Sequence, residues 1–137
     1  MSHKILCAFD GTEHGKIAVV QAVELAKQSG AELTVLAINV ARGGGRAPVI
    51  PDWTNKQALE IAGTAKSLAK ETGIEVEKAV VADARDAASA IIRYAHENAF
   101  DHIVTGTGEK SRLSKLVLGS VSAEVAAKAH CPVTIAR

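Results

Sequence analysis

The chain has 137 residues, enough for one domain with a real core and too few for two of ordinary size. Hydrophobic residues make up 47% but aromatics only 3%, so the core has to be built from Ala, Val, Ile and Leu, which suits small helices packed closely on a sheet. Lys plus Arg total 16 against 15 for Asp plus Glu, a formal charge of +1, which excludes a global field for nucleic acid or an acidic membrane and leaves any anion site to be local.

Ile5 to Phe9 is a short apolar run bounded by Asp10-Gly11 and reads as a buried strand. A helix follows from about residue 13, with Ala18, Ala22, Leu25 and Ala26 on one face and Ser29-Gly30 as its stop. Leu33 to Val40, rich in β-branched residues, is the second strand. Between Ala41 and Asp52 three glycines and two prolines predict a mobile excursion without regular structure. Asp52 is placed to cap a second helix whose inward face is Ala58, Ile61, Ala62, Ala65, Leu68 and Ala69, ended by Gly73.

Ile74 to Val81 alternates apolar and charged residues before turning fully apolar, the pattern of an edge or near-edge strand. Ala88, Ile91, Ile92 and Ala95 mark a third helix, and Phe100 to Thr105 a fourth strand. A glycine segment comes next, then a fourth helix marked by Val121, Val125 and Ala129, and a last strand beginning at Pro132. The order β-α-β-α-β-α-β-α-β with short linkers calls for right-handed crossovers. The expected fold is therefore α/β: a doubly wound, Rossmann-like, five-stranded parallel sheet sandwiched by four helices in a single domain over residues 1–137.

Cys7 and Cys131 fall in expected strands without CxxC or Cys/His ligand spacing, so reduced, buried thiols are expected. The start Met-Ser-His-Lys lacks the pattern of a signal peptide, and no run approaches the ~18 apolar residues of a membrane span. A soluble, cytoplasmic protein is expected. There is no G-x-S-x-G elbow and no H-E-x-x-H, the five histidines are scattered, and Gly108-Glu109-Lys110-Ser111 lacks the glycines of a Walker A loop. A dedicated high-turnover enzyme is not expected.

In a doubly wound sheet, ligands enter the crevice outside the carboxyl ends of the strands, where helix N-termini and free backbone N–H groups favour anions. Three segments qualify: Asp10-Gly11-Thr12, Ile38-Asn39-Val40, and residues 104–122 with Gly106, Gly108, Gly119-Ser120 and the cations Lys110, Arg112 and Lys115. Asp10 is an acceptor for ribose hydroxyls or a divalent ion, or else a turn or capping residue. Ile38 offers apolar surface to an adenine edge, or is simply core. Gly119-Ser120 offers N–H donors, a hydroxyl and a positive helix end. A nucleotide's polyphosphate is the natural ligand of such a segment, and a solvated loop before an ordinary helix is the alternative.

The start Lys-Ile-Leu-Cys-Ala-Phe-Asp-Gly-Thr-Glu, the middle Ala-Phe-Asp-His-Ile-Val-Thr-Gly-Thr-Gly and the tail Leu-Val-Leu-Gly-Ser-Val-Ser with His-Cys-Pro-Val-Thr-Ile-Ala-Arg resemble the universal stress protein family along the whole chain. The resemblance implies an adenine nucleotide α-hydrolase-like fold and, as in many members, ATP held by a pattern of Gly, two residues, Gly, nine residues and Gly-Ser/Thr. Gly106 takes the first place and Gly119-Ser120 the last, but the middle glycine is Glu109. The resemblance further implies Ala8 and Asp10 on the ribose side, Ile38 on the adenine, Thr105 and Gly106 at the fourth strand's edge, and Gly119, Ser120 and Val121 at the phosphates. Mg²⁺ would accompany the ATP, and the last strand would form a homodimer.

Two functions follow as expectations. One is an ATP-binding regulator of the stress response, with at most slow hydrolysis or autophosphorylation at Ser120 or Ser122. The other is a nucleotide-free module that meets protein partners through the glycine segment and the excursion at residues 42–50. An ATP-consuming transferase or pyrophosphatase is disfavoured, because no Ser-Gly-Gly-type pyrophosphate loop is visible.

Overall fold

The computed structural model describes residues 3–108 and 118–137. Its strands are β1 (Lys4–Ala8), β2 (Glu32–Gly44), β3 (Ala47–Pro51), β4 (Lys78–Ala84), β5 (His102–Gly106) and β6 (Val133–Ala136). Its helices are α1 (Glu13–Ser29), α2 (Asn55–Thr72), α3 (Ala87–Glu97) and α4 (Ser120–Lys128). The parallel strands pair in the order β4-β2-β1-β5-β6, and β3 joins the far end of β2 antiparallel. The chain winds outward from β1 through β2 to β4, then crosses back to β5 and β6, so the direction reverses between β1 and β5.

Although the chain is apolar from Ile5 to Phe9, these side chains divide by the two-residue period of a strand. Ile5, Cys7 and Phe9 join the cluster under α1 and α2, whereas Leu6 and Ala8 join the cluster under α3 and α4. The helices approach closely because their contact residues are small: Ala18, Ala22, Ala65 and Ala69 are fully buried. Local signals set the helix ends. Thr12 caps α1 by accepting from Gly15 N–H, and Gly30 and Gly73 close α1 and α2 in the left-handed conformation.

The four helices and the parallel, doubly wound arrangement agree with the sequence reading, but the sheet has six strands where five were expected. The excursion expected between residues 41 and 52 is a β-hairpin. Gly43, Gly44 and Gly45 make its turn at positive φ (86°, 116° and 63°), and a β-carbon at Gly43 would collide with Pro48 O. Pro48 and Pro51 are tolerated because β3 is an edge strand. Pairing overrides the turn-like composition: Arg42 Nε meets Asp52 Oδ1 at 3.0 Å, Asp52 N–H donates to Val40 O at 2.9 Å, and Arg85 donates to Gly43 O.

Two further expectations change. Asp52 does not cap α2. Thr54 does, in a reciprocal capping box with Gln57. The strand expected from Ile74 begins at Lys78, because Ile74 and Val76 pack against the α1–α2 cluster from a connecting segment. β4 is an edge strand as anticipated, paired with β2 alone among the described residues.

Candidate functional site

A cavity of about 320 Å³ opens at the carboxyl edge of the sheet, where the winding direction reverses. Sheet order arranges its wall. Leu36, Ile38 and Val40 of β2, with Ala87 and Ile91 of α3 and Trp53 of the hairpin's return, make an apolar end. Ala8, Phe9 and Asp10 stand in the middle. Thr105, Gly106 and Gly108, with Gly119, Ser120, Val121 and Ser122 of the α4 start, make the other end. The starts of three helices reach this wall, through Thr12, His14 and Gly15 for α1, Ala87 for α3 and residues 119–122 for α4, and Trp53 lines it just ahead of the α2 cap. Each such end carries positive partial charge.

Asp10 Oδ1 accepts from Thr12 N–H at 3.0 Å and Thr12 Oγ1 at 2.6 Å, while that hydroxyl accepts from Gly15 N–H at 3.0 Å. Asp10 thus makes the turn after β1 and also faces the cavity, leaving the helix cap to Thr12. Gly15 permits this arrangement, since a side chain there would run into Asp10 and Phe9.

At the opposite end Gly108 and Gly119 meet face to face, and a β-carbon on Gly108 would stand 2.9 Å from Gly119 Cα. Gly119 N–H donates to Thr107 O at 2.7 Å, so it is committed inside the protein and is not the donor the sequence reading made it. Gly119 is the N-cap of α4 and no side chain among the described residues caps this helix, so Ser120 is its first residue and not its cap. The unclaimed donors of a helix start are the N–H groups of its first turn. Among the described residues these N–H groups, of Ser120, Val121 and Ser122, have no partner. The Ser122 hydroxyl is buried and donates to Gly106 O at 2.6 Å, which ties α4 to β5.

Of the residues expected at a nucleotide site, Ala8, Asp10, Ile38, Thr105, Gly106, Gly108, Gly119, Ser120 and Val121 all line this one cavity. Lys110, with Glu109, Arg112 and Lys115, lies outside the described residues. The sequence reading missed His14, Gly15 and Trp53. Gly15 had a signal, a glycine in the first turn of a helix, where a side chain would ordinarily be favoured. Trp53 had none, because the hairpin that delivers it was read as irregular.

Among the described residues no group of three or more His, Cys, Asp or Glu side chains converges as a metal site. Both cysteines are free. Burial, reinforced by Asp10, pushes the Cys7 thiol up to about 12, which makes it inert, and burial with Asp101 raises Cys131 as well. No helix among the described residues is long and apolar enough to cross a membrane.

The sequence pattern of the Universal stress protein family matches residues 1–137. Universal stress protein YxiE of Bacillus subtilis (strain 168) is 31% identical, the match covering 100% of both chains. A solved universal stress protein from Archaeoglobus fulgidus is 26% identical with a TM-score of 0.78, over 100% of this chain and 95% of that one. The fold is shared with a universal stress protein in complex with cAMP (23% identity, TM-score 0.75, 98% and 96% of the two chains). It is shared too with an Archaeoglobus fulgidus universal stress protein in complex with dAMP (22%, 0.74, 100% and 98%). With a match along its full length, a relative above 30% identity and this fold, the chain belongs to the universal stress protein family.

Proposed function

We propose that the cavity binds an adenine nucleotide, ATP with Mg²⁺, and that the protein is a nucleotide-responsive regulator of the stress response, working as a cytoplasmic homodimer through β6. The observation that carries this reading is the convergence of an apolar end, a carboxylate and a helix start that no described side chain caps in one cavity. The apolar end suits a base, Asp10 suits ribose hydroxyls, and the first-turn N–H groups of α4 suit phosphate. The volume of about 320 Å³ lies at the small end of small-molecule pockets. The cAMP and dAMP held by the two relatives support an adenine ligand.

Mg²⁺ would be held mainly by phosphate oxygens. Such an ion needs only one or two protein carboxylates. Asp10 and Asp52 are the carboxylates in the wall, and Asp52 is paired with Arg42. The ion would supply charge neutralisation to the polyphosphate. Glu109, where the family pattern has glycine, opposes the same phosphates, and Glu109→Gly is expected to tighten ATP.

Calorimetric titration of nucleotide-stripped protein with Mg-ATP tests the reading, and a saturable heat is expected. Absence of heat at millimolar Mg-ATP would favour the second reading, a nucleotide-free interaction module. That alternative draws on one observation, the exposed apolar pair Val49 and Ile50 on β3.

A further inference from the structure

The β2–β3 hairpin has no part in the phosphate cradle, yet its return leg ends in the cavity wall with Asp52 and Trp53. Backbone polarity along β2 fixes where that leg lies. Carbonyls alternate between the two edges of a strand. Leu33 O faces β4, since it accepts from Glu77 N–H, so the even-numbered carbonyls face β1. Leu36 O accepts from Phe9 N–H and Val40 O from Asp52 N–H, each at 2.9 Å. The return leg therefore continues the edge that β1 vacates, with Ile38 in the gap, and sets Trp53 beside the apolar end of the cavity.

A buried amide then holds it there. Asn39 is only 4% exposed, and both ends of its side chain are given to one residue: Nδ2 donates to Trp53 O and Oδ1 accepts from Trp53 N–H, each at 2.9 Å. Burying a primary amide is costly unless it is bonded in this way, and the return is a fixed backbone for one large aromatic residue in a chain with few.

Resting on the adenine-nucleotide reading, we infer that Trp53 is a base-contacting, specificity-determining residue whose indole walls the adenine, and that Asn39 is the residue that positions it. An aromatic face against a base tolerates every base but grips a purine over a larger area.

Trp53 is the one tryptophan of the chain, so its emission reports directly on the site. The full-length, stripped protein is titrated with Mg-ATP and with Mg-tripolyphosphate, by calorimetry and by tryptophan fluorescence. Expected are an emission change that saturates with the ATP heat, and a roughly tenfold weaker ATP affinity in Trp53→Ala. Tripolyphosphate affinity should be unmoved, and Trp53→Phe should recover most of the loss. Asn39→Ala should weaken ATP similarly, without adding to Trp53→Ala. Should Trp53→Ala unfold, the wild-type emission and Trp53→Phe decide. ATP heat without an emission change, with Trp53→Ala binding as wild type, overturns the inference and leaves the nucleotide site standing. No ATP heat in the wild type overturns both.

Discussion

Gly15 lies so close to Asp10 that a β-carbon on it would collide with Oδ1 of the carboxylate and stand 2.9 Å from the Phe9 ring. Alanine in a helix is ordinarily better than glycine by about 1 kcal/mol, so an unobstructed Gly15→Ala would stabilise. Overpacking of this kind costs about 1–3 kcal/mol, and the carboxylate must also leave its turn. Gly15→Ala is therefore expected to lower the urea midpoint and to weaken ATP binding. A raised midpoint with unchanged affinity would show that α1 does not press on Asp10.

Gly119→Val tests the other end of the cavity. Its β-carbon would stand 3.0 Å from Gly108 Cα and 3.3 Å from Thr107 O, forcing β5 and the start of α4 apart where phosphate would dock. The expected outcome is loss of ATP binding with the circular dichroism spectrum retained. Binding within twofold of wild type would remove the α4 start from the site.

His102 should make stability depend on pH. Burial lowers its pKa below the ordinary 6.5, and Nε2 lies 2.7 Å from Thr134 Oγ1, linking β5 to β6. Because the folded state takes up this proton less readily than the unfolded chain, the contribution is present above about 6.5 and is lost as pH falls through the lowered folded value. Urea midpoints measured from pH 7.5 to 5 should decline, and less steeply in His102→Gln. Equal slopes would mean that other groups control the acid limb.

The last strand carries the dimer expectation. β6 pairs with β5 alone among the described residues, and its Val133 and Ile135 are half-buried in the single chain. An apolar strand edge of this kind favours pairing with another copy. Light scattering at micromolar concentration should give twice 14.2 kDa, and Val133→Lys should return the mass to that of one chain. A wild-type monomer, or a dimer that survives Val133→Lys, would exclude this interface.

Elements that bury a face were readable because burial leaves a period. β1 and the inward alanines of α1 and α2 fall where spacing puts them, and Gly30 and Gly73 end helices as their types predict. The misread segments are those in which long-range partners outweigh local composition. Residues 41–52 look like a loop by content, yet the Arg42–Asp52 pair across the segment and bonds from Asn39 to Trp53 and from Arg85 to Gly43 beyond it hold them as a hairpin. Ile74 and Val76 mimic strand alternation while serving as filler beneath α2. At the site, the position of each glycine could be foreseen but not which N–H groups were already taken, as Gly119 illustrates.

The shared orientation of the helices means that a net charge of +1 misdescribes the molecule. Helices of 17, 18, 11 and 9 residues all begin at the carboxyl edge of the sheet, and their peptide dipoles add along the strand direction. The protein is nearly neutral overall yet gathers four positive helix ends at one edge of its sheet, and these crowd together when no anion sits between them. Simple phosphate or sulfate should raise its melting temperature at concentrations where chloride does not, and it should lie on a polyanionic matrix with one preferred end down.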